Sequence, residues 1–253
     1  MKIQSKQIVV FLFSLLLFSC NSEEMSSETI PQVTPPVIIQ PNPVTPIVGN
    51  IHYLALGDSY TIGQSVCETC RFPEQLKSSL SSVYPGASFS LKVIATTGWT
   101  TSSLISALNT QNLTPNYDLV TLLIGVNNQY QSINFSVYQK EFPELVTKAI
   151  TLAKGDKKNV VVISIPDYAY TPYSTLYDAA GKNKISEEID AYNKFAENYC
   201  IANGVVFASI TDITRKGIEI PSLVASDGLH PSKSAYTLFV ERMLPKVKIA
   251  LQD

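Results

Sequence analysis

The chain has 253 residues, room for one large domain or two small ones, and 45% of them are hydrophobic, as is ordinary for a protein with a packed core. Its formal net charge is −2 and its sequence pI is about 5.8. This balance lacks the basic surface with which proteins neutralise phosphates, so it argues against nucleic acid as a partner. A globular protein with a small-molecule, polymer or membrane partner is expected instead.

The first segment has the pattern of a secretory leader. Lys2 and Lys6 precede a largely apolar run over residues 8–18, which ends at small residues. The run is shorter than the ~20 residues that a membrane-spanning helix needs, and the basic front and small-residue exit are typical of a signal peptide. We therefore predict a signal peptide over residues 1–20.

Residues 17–20, Leu-Phe-Ser-Cys, resemble a bacterial lipobox. The resemblance implies that Cys20 is lipidated and becomes the mature N-terminus. Several acyl chains hold a protein stably at a bilayer without a membrane-spanning helix. We expect an exported lipoprotein of the bacterial outer membrane or cell surface, with the membrane as a partner through Cys20.

Residues 21–50 have the composition of a tether. Six of the 15 prolines of the chain fall in this segment, among Thr, Ser, Val and Gln. Such a stretch cannot build a core and tends to be extended. The folded domain is then predicted over residues 51–253.

Within that domain, apolar runs alternate with helical patterns. Strands are predicted at residues 52–56, 89–95, 119–124, 160–165 and 204–208. Helices are predicted at residues 72–83, 101–108, 135–152, 185–201 and 233–250, with Pro245 expected to kink or shorten the last one. The alternation predicts right-handed crossovers and a mostly parallel, five-stranded sheet inside a three-layer α/β/α sandwich.

Three cysteines remain after Cys20. Cys67 and Cys70 have the spacing of half a zinc site, but no second pair completes it. In an oxidising compartment a local disulfide is favoured over zinc, and a redox role stays open. Cys200 lies on an amphipathic pattern and is interpreted as a small buried hydrophobic residue. No metal or cofactor is expected.

Polar residues follow the predicted strands where a parallel sheet binds its ligands, beyond the carboxyl ends. Ser59 follows the first strand, Gly98 the second and Asn127 the third, while Asp227 and His230 precede the last helix. Acyl transfer needs a nucleophile, a base, an acid that orients the base, and donors for the oxyanion.

These residues can fill all four roles. Ser59 is the candidate nucleophile and His230 the candidate base, because the other histidine, His52, opens the first strand at its opposite end. Asp227 is close enough to orient His230. The N–H groups of Ser59 and Gly98 and the Asn127 amide could together form the oxyanion hole.

Four short segments carry a family resemblance. Gly57-Asp58-Ser59-Tyr60, Gly98, Gly125-Val126-Asn127 and Asp227-x-x-His230 resemble the sequence blocks of the SGNH/GDSL esterase and lipase family. The resemblance implies a flavodoxin-like sheet, the triad of Ser59, Asp227 and His230, and the oxyanion hole of Ser59, Gly98 and Asn127.

Two positions depart from the family pattern, and neither removes a catalytic group. Tyr60 replaces a frequent Leu, and Asn128 replaces a frequent Asp. The ordinary α/β-hydrolase is a weaker match, because its Gly-x-Ser-x-Gly elbow would need glycine where this chain has Thr61.

The substrate is less determined. The residues expected to line its site are Asp58, Trp99, Asn128, Tyr130 and Tyr168, although core packing explains the aromatic residues about as well. An exported, tethered esterase fits removal of small acyl groups, such as acetyl, from carbohydrate. The alternatives are a lysophospholipase or lipid esterase, and a catalytically inactive surface lipoprotein that binds glycans.

Overall fold

The computed structural model describes residues 46–252. The predicted signal peptide, Cys20 and nearly all of the predicted tether lie outside these residues. Within residues 46–252, none of the helices combines the length and apolar character that a membrane crossing requires.

A single parallel sheet forms the centre of the described region. Its five strands are β1 (Gly49–Gly57), β2 (Ala87–Ala95), β3 (Leu119–Leu123), β4 (Val160–Ile163) and β5 (Val206–Ala208). They lie in the order β2-β1-β3-β4-β5, and every neighbouring pair is parallel. This is the flavodoxin-like order, so the predicted fold class is confirmed.

Eight α-helices are present in residues 46–252. They are α1 (Ser59–Ile62), α2 (Phe72–Val83), α3 (Thr101–Thr110), α4 (Val126–Tyr130), α5 (Phe135–Leu152), α6 (Ala179–Asn203), α7 (Thr211–Thr214) and α8 (Lys233–Ala250). The five long ones match the predicted helices. On one face of the sheet α2 packs against α8, and on the other α5 packs against α3 and α6.

The apolar runs form strands because both faces of the sheet are covered. All residues of β3 and β4 are buried. Parallel strands covered on both faces carry continuous aliphatic sequence rather than an alternating pattern. The core therefore lies directly behind the carboxyl ends of the strands and holds them rigidly.

Several boundaries differ from the predicted ones, and the largest differences are at the starts of β1 and α6. β1 begins at Gly49, where it pairs with Ala87, so the last residues of the predicted tether belong to the sheet. α6 begins at Ala179, because the Asp178 side chain accepts the Gly181 N–H at 2.7 Å and caps the helix. It ends where Gly204 takes a left-handed conformation, so β5 starts only at Val206.

Pro245 does not shorten α8. The helix continues through it to Ala250. A proline inside a helix costs ~3 kcal/mol, because a hydrogen bond is lost and the ring meets the preceding turn. Met243 and Val247 are fully buried on either side, and burial of such side chains contributes ~1.5–3 kcal/mol each, which offsets that cost.

Candidate active site

The nucleophile candidate lies at the turn that leaves β1. Ser59 is the first residue of α1, and the Asp58 side chain caps this helix by accepting the Tyr60 N–H at 3.0 Å. At Gly57 a Cβ atom would lie 2.1 Å from Thr61 Oγ1 and 2.3 Å from the Leu123 carbonyl oxygen. Glycine is therefore required here by the close approach of α1 and β3.

The acid and base candidates form one short loop before α8. Asp227 Oδ2 lies 2.6 Å from His230 Nδ1, and Oδ1 accepts the backbone N–H groups of Leu229 and His230 at 2.9 and 3.0 Å. With Asp227 ionised, Nδ1 is the donor in this contact, which leaves Nε2 as the basic nitrogen. The loop thus fixes both the tautomer and the orientation of the imidazole.

The environment keeps Asp227 ionised. Burial alone would raise the pKa of this carboxyl group, but hydrogen bonds from the Ser65 hydroxyl, from two backbone N–H groups and from His230 hold it well below its ordinary value. The Ser65 hydroxyl donates to Oδ2 at 2.6 Å. Nothing in the sequence pattern identifies Ser65, which is 162 residues away from Asp227.

A cleft of about 250 Å³ brings the remaining candidates together. It is lined by Ser59, Tyr60, Thr97, Gly98, Val126, Asn127, Tyr130, Gln131, Tyr168, Leu229 and His230. The Tyr60 ring meets the imidazole of His230 edge to face, with 5.6 Å between the ring centroids. Asp227 is not among the lining residues, because it contacts the far nitrogen of His230.

Three donors are available at this cleft. The N–H groups of Ser59 and Gly98 make no hydrogen bond within the described part of the chain. Gly98 has φ 85°, a conformation that favours glycine. Asn127 Nδ2 donates one hydrogen to the Trp99 carbonyl at 2.9 Å, which orients the amide and leaves its second hydrogen. The arrangement can stabilise negative charge on an oxygen atom.

The two polar residues that were expected to line the substrate site do not line the cleft. Asp58 and Asn128 are both fully buried. Asn128 accepts the Thr101 N–H at 3.0 Å and donates to Thr101 Oγ1 at 2.7 Å, so it fixes the start of α3. The prediction for Asn128 failed because consecutive residues of a helix point ~100° apart, so Asn127 faces the cleft and Asn128 does not.

The three aromatic candidates divide differently. Tyr130 and Tyr168 line the cleft, whereas the half-buried ring of Trp99 packs against the core and is not among the lining residues. Tyr130 also shares a hydrogen bond with Tyr173, with 2.6 Å between the hydroxyl oxygens.

The environment of Asp58 shifts its pKa in the opposite direction from that of Asp227. Complete burial raises the pKa of Asp58 from 3.8 to about 7, although the Tyr60 N–H and its own backbone N–H act to lower it. Its second oxygen, Oδ2, has no hydrogen-bond partner among the described residues.

The predictions for Cys67, Cys70 and Cys200 are confirmed. Cys67 and Cys70 form a disulfide, which removes their sulfurs as zinc ligands. Cys200 is fully buried in α6, and burial raises the pKa of its thiol. No cluster of three or more metal-ligating side chains occurs in residues 46–252.

Comparison with known proteins identifies the family. The sequence model of the GDSL-like Lipase/Acylhydrolase family matches residues 55–238, which include every candidate catalytic residue. The chain therefore belongs to this family and is an ester hydrolase of the GDSL type. No curated protein matches the chain.

Solved structures share the fold at low sequence identity. TesA has a TM-score of 0.61 at 16% identity, covering 79% of this chain and 99% of its own. The lipase Lip_vut3 from a goat rumen metagenome has a TM-score of 0.61 at 21% identity, covering 78% of this chain and 97% of its own. Axe2, an acetylxylan esterase from Geobacillus stearothermophilus, has a TM-score of 0.57 at 16% identity, covering 80% of this chain and 96% of its own. At these identities the likeness establishes the fold alone.

Proposed function

We propose that the protein hydrolyses carboxylic esters through an acyl-enzyme on Ser59. The observation that carries the proposal is the Asp227–His230 hydrogen bond at 2.6 Å, with His230 and Ser59 lining one cleft. In the proposed reaction, Ser59 Oγ attacks the ester carbonyl carbon while His230 Nε2 takes its proton. His230 then returns that proton to the oxygen of the departing alcohol.

The second half of the reaction uses the same groups. His230 takes a proton from water, whose oxygen attacks the acyl carbon, and the serine oxygen leaves with that proton as the acid product is released. In both halves the carbonyl oxygen becomes negative. The N–H groups of Ser59 and Gly98 and the Asn127 amide are the proposed donors to it.

The proposed substrate is an acylated carbohydrate, with acetyl as the acyl group. A volume of about 250 Å³, with Tyr130 and Tyr168 among the lining residues, suits a small acyl group beside an aromatic wall. Aromatic side chains also pack well against the apolar faces of sugar rings. The likeness to an acetylxylan esterase is consistent with this substrate class.

Substitution of the proposed groups tests the mechanism. With p-nitrophenyl acetate, Ser59→Ala should lower kcat by at least ~10³-fold, and Asn127→Ala by ~10²–10³-fold with little change in KM. Thermal melting of each variant controls for folding. Activity of Ser59→Ala equal to wild type would overturn the enzyme proposal, while normal activity of Asn127→Ala would refute only its oxyanion role.

A substrate comparison tests the proposed class. Initial rates should be measured on p-nitrophenyl esters of increasing chain length, on acetylated xylan and on a lysophospholipid. We expect the acetyl ester to be the best synthetic substrate and acetate to be released from the polysaccharide. Preference for long acyl chains with turnover of the lysophospholipid would replace the carbohydrate proposal by the lipid esterase.

We further propose that the protein is an exported lipoprotein anchored through Cys20. The support is the lipobox-like segment at residues 17–20 and the proline-rich composition that follows it. Detergent phase partitioning of the protein expressed in a bacterial host is the test, with Cys20→Ser as the matched variant. Wild type should enter the detergent phase and Cys20→Ser the aqueous phase; equal partitioning would contradict lipidation.

A further inference from the structure

The segment between α1 and α2 touches both sides of the candidate active site. This segment, residues 63–71, contains the Cys67–Cys70 disulfide and is called the disulfide loop below. Its Ser65 hydroxyl donates to Asp227 Oδ2 at 2.6 Å, beside the candidate base. Its Gln64 Oε1 accepts the Thr97 hydroxyl at 2.7 Å, next to Gly98.

We propose that Ser65 is a positioning residue for the acid–base pair, and that the disulfide loop holds it in place. The inference rests on the proposed function, in which Asp227 orients His230. Ser65 contacts neither substrate nor the reacting atoms in this proposal. It acts through the carboxylate of Asp227.

The contacts of Asp227 show why a hydroxyl matters at this position. Oδ1 is occupied by the N–H groups of Leu229 and His230, and Oδ2 accepts both His230 Nδ1 and the Ser65 hydroxyl. Donors on both oxygens fix the plane of the carboxylate, and with it the plane of the imidazole. The Asp227 side chain is 29% exposed, so without Ser65 water would reach Oδ2 and compete for it.

The backbone at Ser65 is held in an uncommon conformation. Its φ is 65°, a left-handed value that costs a non-glycine residue ~1–2 kcal/mol. Such a conformation persists where the surrounding structure imposes it. Ser65 lies between Gln64, which is bonded to Thr97, and Cys67, where the disulfide begins.

The far end of the disulfide loop is tied to the helix that follows His230. Gln75 Nε2 donates to the Cys70 carbonyl and to the Lys233 carbonyl of α8. Gln75 Oε1 accepts the Thr237 hydroxyl at 2.8 Å. The end of the disulfide loop is therefore linked through Gln75 to α8, the helix that the acid–base segment leads into.

The position of the hydroxyl predicts a specific effect on chemistry. Ser65 donates to the same oxygen that accepts the hydrogen bond from His230 Nδ1, so it lowers the basicity of that oxygen. Without it, Asp227 would stabilise a protonated imidazole more strongly. Because the base must be neutral to act, the acid limb of the pH–rate profile should then move to higher pH. Loss of a merely structural contact would not move it upward, because a weaker Asp227–His230 hydrogen bond stabilises the protonated imidazole less.

The experiment compares Ser65→Gly with Ser65→Asn. Glycine removes the hydroxyl and asparagine supplies an amide donor, while both tolerate positive φ, so neither adds backbone strain at this position. With p-nitrophenyl acetate, Ser65→Gly should lower kcat by ~5–10-fold, the effect of a part-exposed hydrogen bond to a charged group, with KM within ~2-fold. Its acid limb should move upward, and Ser65→Asn should recover part of both changes.

Reduction of the disulfide tests whether the disulfide loop holds Ser65 in place. In wild type, reduction with dithiothreitol should lower kcat by a few-fold, and a Cys67→Ser/Cys70→Ser variant should behave like the reduced protein. In Ser65→Gly the same reduction should have little further effect, since both changes act through one contact. An equal loss on reduction in wild type and Ser65→Gly would show that the disulfide does not act through Ser65.

Asp227→Asn, measured alongside, distinguishes failure of the Ser65 positioning role from failure of the proposed function. If Asp227→Asn is inactive and Ser65→Gly keeps wild-type kcat, water substitutes for the hydroxyl and the positioning role is overturned while the proposed function stands. A loss of kcat in Ser65→Gly without a shift of the acid limb also overturns it. If Asp227→Asn is itself as active as wild type, the proposed triad fails first.

Discussion

Asp58 and Asp227 are two aspartates near the same cleft, and their surroundings are opposite. Asp227 is partly exposed and accepts four hydrogen bonds, and its pKa is held well below the ordinary value. Asp58 is fully buried, accepts the Tyr60 N–H with Oδ1, and has a pKa raised to about 7. Each is next to a proposed catalytic residue: Asp58 precedes Ser59 in the chain, and Asp227 is hydrogen-bonded to His230.

The difference shows that the number of hydrogen-bond donors around a carboxyl group, more than its distance from the cleft, decides whether it is ionised and what role it can take. A carboxylate surrounded by donors stays ionised and can orient an imidazole and stabilise its positive form. A carboxyl group that is buried with few hydrogen-bond donors has a raised pKa, and here it serves as a helix cap. Groups whose environments move their pKa values apart take separate roles at one site.

Replacing each aspartate by asparagine is the most direct test of whether the two carboxyl groups have different roles. Asp227→Asn removes the charge and the acceptor for His230 Nδ1, so kcat on p-nitrophenyl acetate should fall by ~10³–10⁴-fold. Asp58→Asn keeps an oxygen for the Tyr60 N–H and replaces a carboxyl group that makes no contact with His230, so its loss should be under ~10-fold. Similar losses in the two variants would mean that the two carboxyl groups are not functionally distinct.

The second prediction concerns the pH dependence of stability. Between pH 3.8 and about 7 the folded protein keeps a proton on Asp58 that the unfolded chain releases. Stability from this group is therefore present at low pH and lost as pH rises to about 7, by a few kcal/mol given ~1.4 kcal/mol per pKa unit. Asp227 has the opposite sign, since its contribution is present above its ordinary pKa and is lost as pH falls.

Urea unfolding of wild type and Asp58→Asn from pH 4 to pH 8 measures this effect. The free energy of unfolding of Asp58→Asn should lack the decline, so the variant should gain on wild type as pH rises from 4 to 7. Asp227→Asn is the matched variant. Its free energy of unfolding should lack the loss that Asp227 causes in wild type as pH falls below the ordinary pKa of an aspartate. Parallel curves for wild type and Asp58→Asn would show that Asp58 is ionised in the folded protein.

The sequence predicts the sheet and much of the cleft for the same reason. Long aliphatic runs such as β3 can only be buried between helices, and parallel strands place their carboxyl ends at one edge. Ser59, Gly98 and Asn127 follow such strands, so their meeting in the cleft was predictable. The start of β1 at Gly49 was not, because Gly49 and Asn50 are exposed and have no apolar pattern.

What the sequence could not predict is the direction in which a polar side chain points. Asn127 and Asn128 are adjacent and chemically identical, yet one lines the cleft and the other is buried against Thr101. The contact of Ser65 with Asp227 joins a loop without periodicity to a segment 162 residues away. Such contacts follow from tertiary packing, which strand and helix periodicity does not encode.

The smallest effect is expected from Tyr236→Phe, which sharpens the account of Asp58. The Tyr236 ring is buried in α8 beside Phe72 and Phe239, and phenylalanine preserves this packing. Its hydroxyl has no hydrogen-bond partner among residues 46–252, and burial first, then the nearby charge of Asp58, raises its pKa. Removing an unpaired buried hydroxyl should change the free energy of unfolding by less than ~0.5 kcal/mol, or stabilise the protein slightly.

Urea unfolding of Tyr236→Phe at pH 5 and pH 8 would detect the alternative. If the variant is less stable by ~1 kcal/mol or more at pH 5 but not at pH 8, the protonated carboxyl group of Asp58 donates to the tyrosine hydroxyl in the folded protein. Asp58 would then be one half of a buried neutral pair, and its raised pKa would arise from this bond as well as from burial. An unchanged stability at both values leaves burial as the cause that separates Asp58 from Asp227.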